Sequence, residues 1–233
     1  MPRLNTLSRY QDRVGNVIEY GGSADVKADI EFKGRSNRLV VADSANLAEL
    51  KAAFWGDNGL VRIGPTTAKR SPMRFEMKIG HDSTIVVGQN VGCAGKVLVS
   101  AVEGADAILG DDIMFASGIE VRTDDTHALY DSVTGERINV ARSVTVGEHV
   151  WVAKHAVIMG GVSIGSGSVI GFRSIVTRSL PNNCVAVGAP ARVVRRNVVW
   201  ERPELAGKEP GEKFAPERDR SLSYWNETVD LEG

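Results

Sequence analysis

Six aliphatic residues stand six apart without a miss: Val146, Val152, Ile158, Ile164, Ile170 and Val176. The position two before each is small or aliphatic, running Val144, Val150, Ala156, Val162, Ser168, Ser174. The position just after is mostly small: Gly147, Ala153, Met159, Gly165, Gly171, Thr177. An α-helix has no use for such a row. Six residues overshoot its turn of about 3.6, so the apolar positions would wander around the axis. Glycine at this density would also cost a helix about 1 kcal/mol per residue. β-Branched residues in the row favour strand. The pattern is that of a hexapeptide β-helix, a solenoid of short parallel strands and tight turns, in which three hexads close one coil of about eighteen residues. The row residues point inward, and small neighbours let the backbone turn without strain. The expected fold class is all-β. Periodicity alone leaves the hand of the coil open.

The same phase reappears upstream as Ile79, Ile85, Val91 and Val97, and as Leu109, Phe115 and Val121. It breaks between 98 and 108 and between 122 and 143, and such breaks in a solenoid map to loops on its outside. The repeat domain is therefore placed at 71–196, with a loop at 122–143. Residues 1–70 read as strands separated by Gly/Asn turns, expected to be degenerate coils of the same solenoid; a separate small domain is the alternative. Residues 197–233 are charged and broken by proline. They read as an extension that caps the last coil, with Tyr224 and Trp225 as its pins, or as a partly disordered tail.

Lys plus Arg number 28 and Asp plus Glu 29, for a net charge of −1, which argues against a nucleic-acid binder with a uniformly basic surface. No apolar run reaches the roughly 18 residues of a membrane span, and the polar start lacks a signal-peptide core. Cys93 and Cys184 offer neither a disulfide framework nor metal-ligand spacing, so a cytoplasmic setting is expected. The charges are unevenly spread. Between His149 and Trp200 there is no Asp or Glu, while Lys154, Arg173, Arg178, Arg192, Arg195 and Arg196 fall there. A tight fold that excludes carboxylates from its turns would produce this. So would a polyanionic ligand lying along the prism, since the arginine fork binds two phosphate oxygens at once.

The loop carries a D-x-x-H sequence, Asp124 to His127, and a T-G-x-R-I-N return, Thr134 to Asn139. His149-Val150-Trp151 follows, and the run Gly188 to Val193 (G-x-P-A-R-V) closes the repeats. On these motifs residues 120–196 resemble the hexapeptide-repeat acetyltransferases, most of all the branch that O-acetylates bacterial capsular and surface sugars, polysialic acid among them. The resemblance implies a left-handed β-helix, a homotrimer, and acetyl-CoA as co-substrate in the groove between neighbouring prisms. It also implies a saccharide acceptor and no metal.

By the same matching His127 is the expected general base, because a neutral imidazole can accept the proton of a weakly nucleophilic sugar hydroxyl. Attack on the thioester develops an oxyanion that needs a donor, and the indole N–H of Trp151 is a candidate. Asp124, Asp125 and Asp131 are candidates to hold the far nitrogen of His127. Backbone at Ala153, Gly171 and Phe172 matches the pantetheine arm; Thr177, Arg178, Arg192 and Arg195 match contacts to the adenosine phosphates. Phe172 stands where relatives often carry a small residue. A lone exposed histidine is usually incidental, but one in the loop that interrupts a regular repeat sits where functional residues concentrate. His149 and His155, six apart, belong to different prism faces and should diverge, against a shared zinc. The outward surface shows no clear apolar patch. An N-acetyltransferase acting on an amino or nucleotide sugar is the alternative function; a zinc hydratase and a purely structural prism are the remaining two.

Overall fold

Alternation at a period of two builds the long strands of the N-terminal half. In Met73–Ile79 the residues Met73, Phe75, Met77 and Ile79 are buried while Arg74, Glu76 and Lys78 face outward, as a pleated strand with one wet face requires. Lys27–Phe32 and Leu47–Phe54 lie beside it in parallel register, pairing Phe32 with Phe54 and Phe54 with Ile79. The computed structural model describes residues 3–202 and 224–230. Among them no helix occurs, and the strands form a left-handed parallel β-helix with three faces of eight, eight and six strands.

The first face runs from Lys27–Phe32 through Met73–Ile79, Val97–Ala101, Ile119–Arg122 and Val157–Ile158 to Ile175–Val176. The second includes Arg38–Val41, Leu60–Ile63, Thr84–Val87, Ala107–Leu109, Val144–Val146 and Ser163–Ile164. The third starts only at Gly92–Cys93 and continues through Met114–Phe115, Trp151–Val152 and Val169–Ile170. It ends on Val185–Gly188, against which Ala191–Arg195 folds back antiparallel.

Coil length explains where the hexad row is visible. Thr145 pairs with Ser163, Trp151 with Val169 and Val157 with Ile175, each eighteen residues on. Upstream the step is longer: Val97 pairs with Ile119 and Ala107 lies opposite Ile85, twenty-two residues apart. The extra residues sit in the corners, so the inward positions persist while the strict period is lost.

Inside, the column changes width. Phe32, Phe54, Phe75 and Phe115 are fully buried, and the rings of Phe32 and Phe54 stack at 4.9 Å. Toward the C-terminus Val152, Ile158, Ile164, Ile170 and Val176 fill the narrower coils. Corners leave little space between coils: a Cβ on Gly110 would come within 2.8 Å of the Gly147 carbonyl carbon. Cys93 and Cys184 are buried free thiols, and burial pushes the Cys93 thiol up to about 12.

Candidate active site

The loop at 123–143 leaves the corner between the first and second faces, bounded by Ile119–Arg122 and Val144–Val146. It is held by a few side chains. Asn139 accepts a hydrogen bond from the Leu129 N–H at 2.7 Å and donates to the His127 carbonyl at 2.8 Å and to Asp125 at 3.1 Å. Arg137 forks onto Glu103 of the body at 2.6 and 3.0 Å. Asp131 accepts the N–H groups of Thr134 and Val133, which hold its carboxyl below the ordinary value.

His127 is presented at the surface of this loop, its N–H bonded to the Asp125 carbonyl at 2.9 Å. Among the described residues no group hydrogen-bonds its ring. Asp124 is occupied by the Ser100 hydroxyl at 2.6 Å and the Thr126 N–H at 2.8 Å, Asp125 by Asn139, and Asp131 by its own turn. None of the three expected carboxylates, Asp124, Asp125 and Asp131, therefore holds the imidazole. The loop also corrects the expectation of a surface without apolar patches. Leu129, Tyr130, Val133, Ile138 and Val140 are all exposed on it, Val133 to 92%.

Beneath the loop a cleft of about 540 Å³ is lined by Asp124, Asp125, Asn139, Arg142, Met159 and Thr177. Thr177 thus joins the loop base, with Arg178 exposed beside it. Trp151 lies elsewhere, on the third face, 37% exposed. Its indole N–H has no hydrogen-bond partner among the described residues. The Ala153 N–H bonds the Ile170 carbonyl and the Gly171 N–H the Ala186 carbonyl, each at 2.8 Å, so Ala153 and Gly171 stack in register at the corner between the third and first faces. A Cβ on Gly171 would meet Val187 Cγ1 at 2.5 Å, so only glycine fits at this corner. Phe172 stands exposed at its edge, with the Arg173 guanidinium 5.4 Å from the ring and His155 edge-on at 6.2 Å. Arg192 and Arg195 are exposed on the returning strand.

The expected site residues thus fall into two groups. His127, Thr177 and Arg178 share one corner; Trp151, Ala153, Gly171, Phe172, Arg192 and Arg195 lie on or beside the third face. Of the cations on these coils, Lys154, Arg173, Arg178, Arg192 and Arg195 have no ion pair among the described residues, while Arg196 pairs with Asp230 at 2.6 Å.

His149 and His155 do occupy different corners, His149 buried and His155 exposed. His149 belongs to a cluster that sequence reasoning missed. Its Nδ1 lies 2.7 Å from Asp112 and its Nε2 3.0 Å from the Trp200 carbonyl. Burial works against the charged form of Asp112, yet the His149 hydrogen bond and the charges of Arg202 and Arg70 outweigh it and hold the carboxyl at about 2.

Comparison with known proteins places this arrangement in a class. The family described as "Bacterial transferase hexapeptide (six repeats)" matches residues 143–178. A polysialic acid O-acetyltransferase of Neisseria meningitidis is 37% identical over 201 residues, 85% of this chain and 92% of that protein. The crystal structure of the polySia-specific acetyltransferase NeuO superposes with a TM-score of 0.73 at 33% identity, covering 83% of this chain and 88% of the other. The chain belongs to the hexapeptide-repeat acetyltransferase family. It spans 45% of the length of a polysialic acid O-acetyltransferase of Escherichia coli O1:K1 / APEC, to which it is 34% identical over 59% of its own length. It spans 62% of a galactoside O-acetyltransferase of Escherichia coli K12, at 32% identity over 57% of its own length.

Proposed function

We propose that the protein transfers an acetyl group from acetyl-CoA to a hydroxyl of a surface or capsular saccharide, with His127 as general base. The observation that carries this reading is the imidazole itself: exposed, free of hydrogen bonds among the described residues, and carried in the loop that interrupts the regular coils, where Asn139 binds the His127 carbonyl. A sugar hydroxyl gives its proton to the imidazole as its oxygen attacks the thioester carbonyl. Negative charge grows on the acyl oxygen, where the unpartnered Trp151 N–H is the donor. The carbon–sulfur bond then breaks, and the imidazolium returns the proton to the departing thiolate.

His127 and Trp151 lie on different parts of one prism, so the site is proposed to form between two copies. A homotrimer, with the apolar loop residues packed on a neighbouring prism, supplies this geometry. The pantetheine arm would run along the backbone at Ala153 and Gly171, with Phe172 flanking it. Thr177, Arg178, Arg192 and Arg195 would meet the adenosine phosphates. Polysialic acid, named for the relatives of Neisseria meningitidis and Escherichia coli O1:K1 / APEC, is a polyanion and supports a charged saccharide as the acceptor here, and the proposed setting is the cytoplasm.

Acetyl-CoA is offered with polysialic acid, neutral galactosides and amino sugars, and free thiol is measured. His127→Ala should lower turnover on a hydroxyl acceptor by about 10²–10⁴-fold, the usual worth of a positioned base. Unchanged turnover in that variant, or transfer to amines alone, would remove the assignment.

A further inference from the structure

Trp200 follows the returning strand Ala191–Arg195 and packs back on the corner between the second and third faces, 7% exposed. Its ring stacks on His149 with centroids 4.1 Å apart and planes at 15°. The two residues are joined reciprocally, side chain to backbone. The Trp200 indole N–H donates to the His149 carbonyl at 2.8 Å, and His149 Nε2 faces the Trp200 carbonyl at 3.0 Å. On its other side the imidazole faces the Asp112 carboxylate at 2.7 Å.

The groups around this imidazole are tied down. Arg70 and Arg202 reach the same carboxylate at 2.7 and 3.0 Å, Tyr224 stacks on the free face of the imidazole at 3.7 Å, and Glu201 lines the adjoining cavity. Trp200 in turn meets Trp151, with ring centroids 6.0 Å apart and planes tilted by 45°. His149 is only two residues before Trp151, so the lock acts on that strand through its backbone and through the Trp200 ring.

We infer that Trp200 is a positioning residue for acetyl transfer: clamped on the His149 imidazole, it sets the angle at which the Trp151 indole N–H meets the acyl oxygen. The inference rests on the assignment of Trp151 to the donor site. An indole on a half-exposed face has several rotamers open to it, and a neighbouring ring fixed at both ends removes that freedom.

The test is a double-mutant cycle on kcat and on KM for acetyl-CoA, using Trp200→Leu, Trp151→Phe and their combination. Trp200→Leu should lower kcat by about 10–100-fold, the scale set by a misplaced catalytic group. In the Trp151→Phe background the same substitution should change kcat by less than about twofold, because its partner is already gone. Trp200→Phe, which keeps a ring against both His149 and Trp151, should retain most of the kcat and serves if the leucine variant does not fold. Equal losses from Trp200→Leu in both backgrounds would overturn the inference and leave the donor-site assignment standing, as would a phenylalanine variant as poor as the leucine. Wild-type kcat and KM in Trp151→Phe alone would remove both.

Discussion

Replacing Asp112 by Asn probes the buried ionic cluster with little change of shape. Asparagine resembles the protonated carboxyl, so the substitution imposes at neutral pH what acid would otherwise do. The Asp112 side chain is 22% exposed and touches Arg70, Arg202 and His149, which with burial opposing them hold its carboxyl at about 2 against an ordinary 3.8. That difference is worth about 2.5 kcal/mol, at about 1.4 kcal/mol per tenfold change in proton affinity. Because the folded value is the depressed one, the stabilisation is complete above 3.8 and is lost as pH falls through about 2. At pH 7 the variant should melt about 5–10 °C below wild type, at about 2–4 °C per kcal/mol for a chain of this size. The gap should hold down to about pH 4 and then close toward pH 2. Thermal unfolding followed by circular dichroism at about pH 7, 4, 3 and 2 measures it. A gap that stays constant over this range, or is absent at pH 7, would refute the account of Asp112 as the anion on which two guanidinium groups and an imidazole converge.

Two further outcomes separate the body of the prism from its loop. Phe115→Ala empties a fully buried position in the column and should cost about 3–5 kcal/mol, read from chemical denaturation. Asn139→Ala removes the three hydrogen bonds that tie Leu129, His127 and Asp125 together. Its kcat should fall by about 10²-fold because the proposed base is no longer held in place, with a melting temperature close to wild type because the coils do not depend on the loop.

Much of the prism is written in local pattern. A residue that points inward every sixth position needs no distant partner to be recognised, which is why Val146 to Val176 announce the narrow coils. Upstream, coils of twenty-two residues keep Phe75, Val97 and Ile119 inside, but the surplus in the corners breaks the strict period. His127 was legible for a related reason: it stands in the loop where the period stops. The hand of the coil came from resemblance, since either hand buries the same row.

What no pattern announces is which side chains meet across coils. Asp112, His149 and Trp200 are far apart along the chain and belong to different structural contexts: one corner turn, the next coil's turn, and the segment after the last strand. His149 and His155 look equivalent by spacing, yet one corner buries its histidine between two rings and the other leaves it exposed. The difference lies in the number of residues per coil and in where the chain returns after Ala191–Arg195. Local sequence sets which way each residue faces; the summed lengths of all the coils between two residues decide whether they touch.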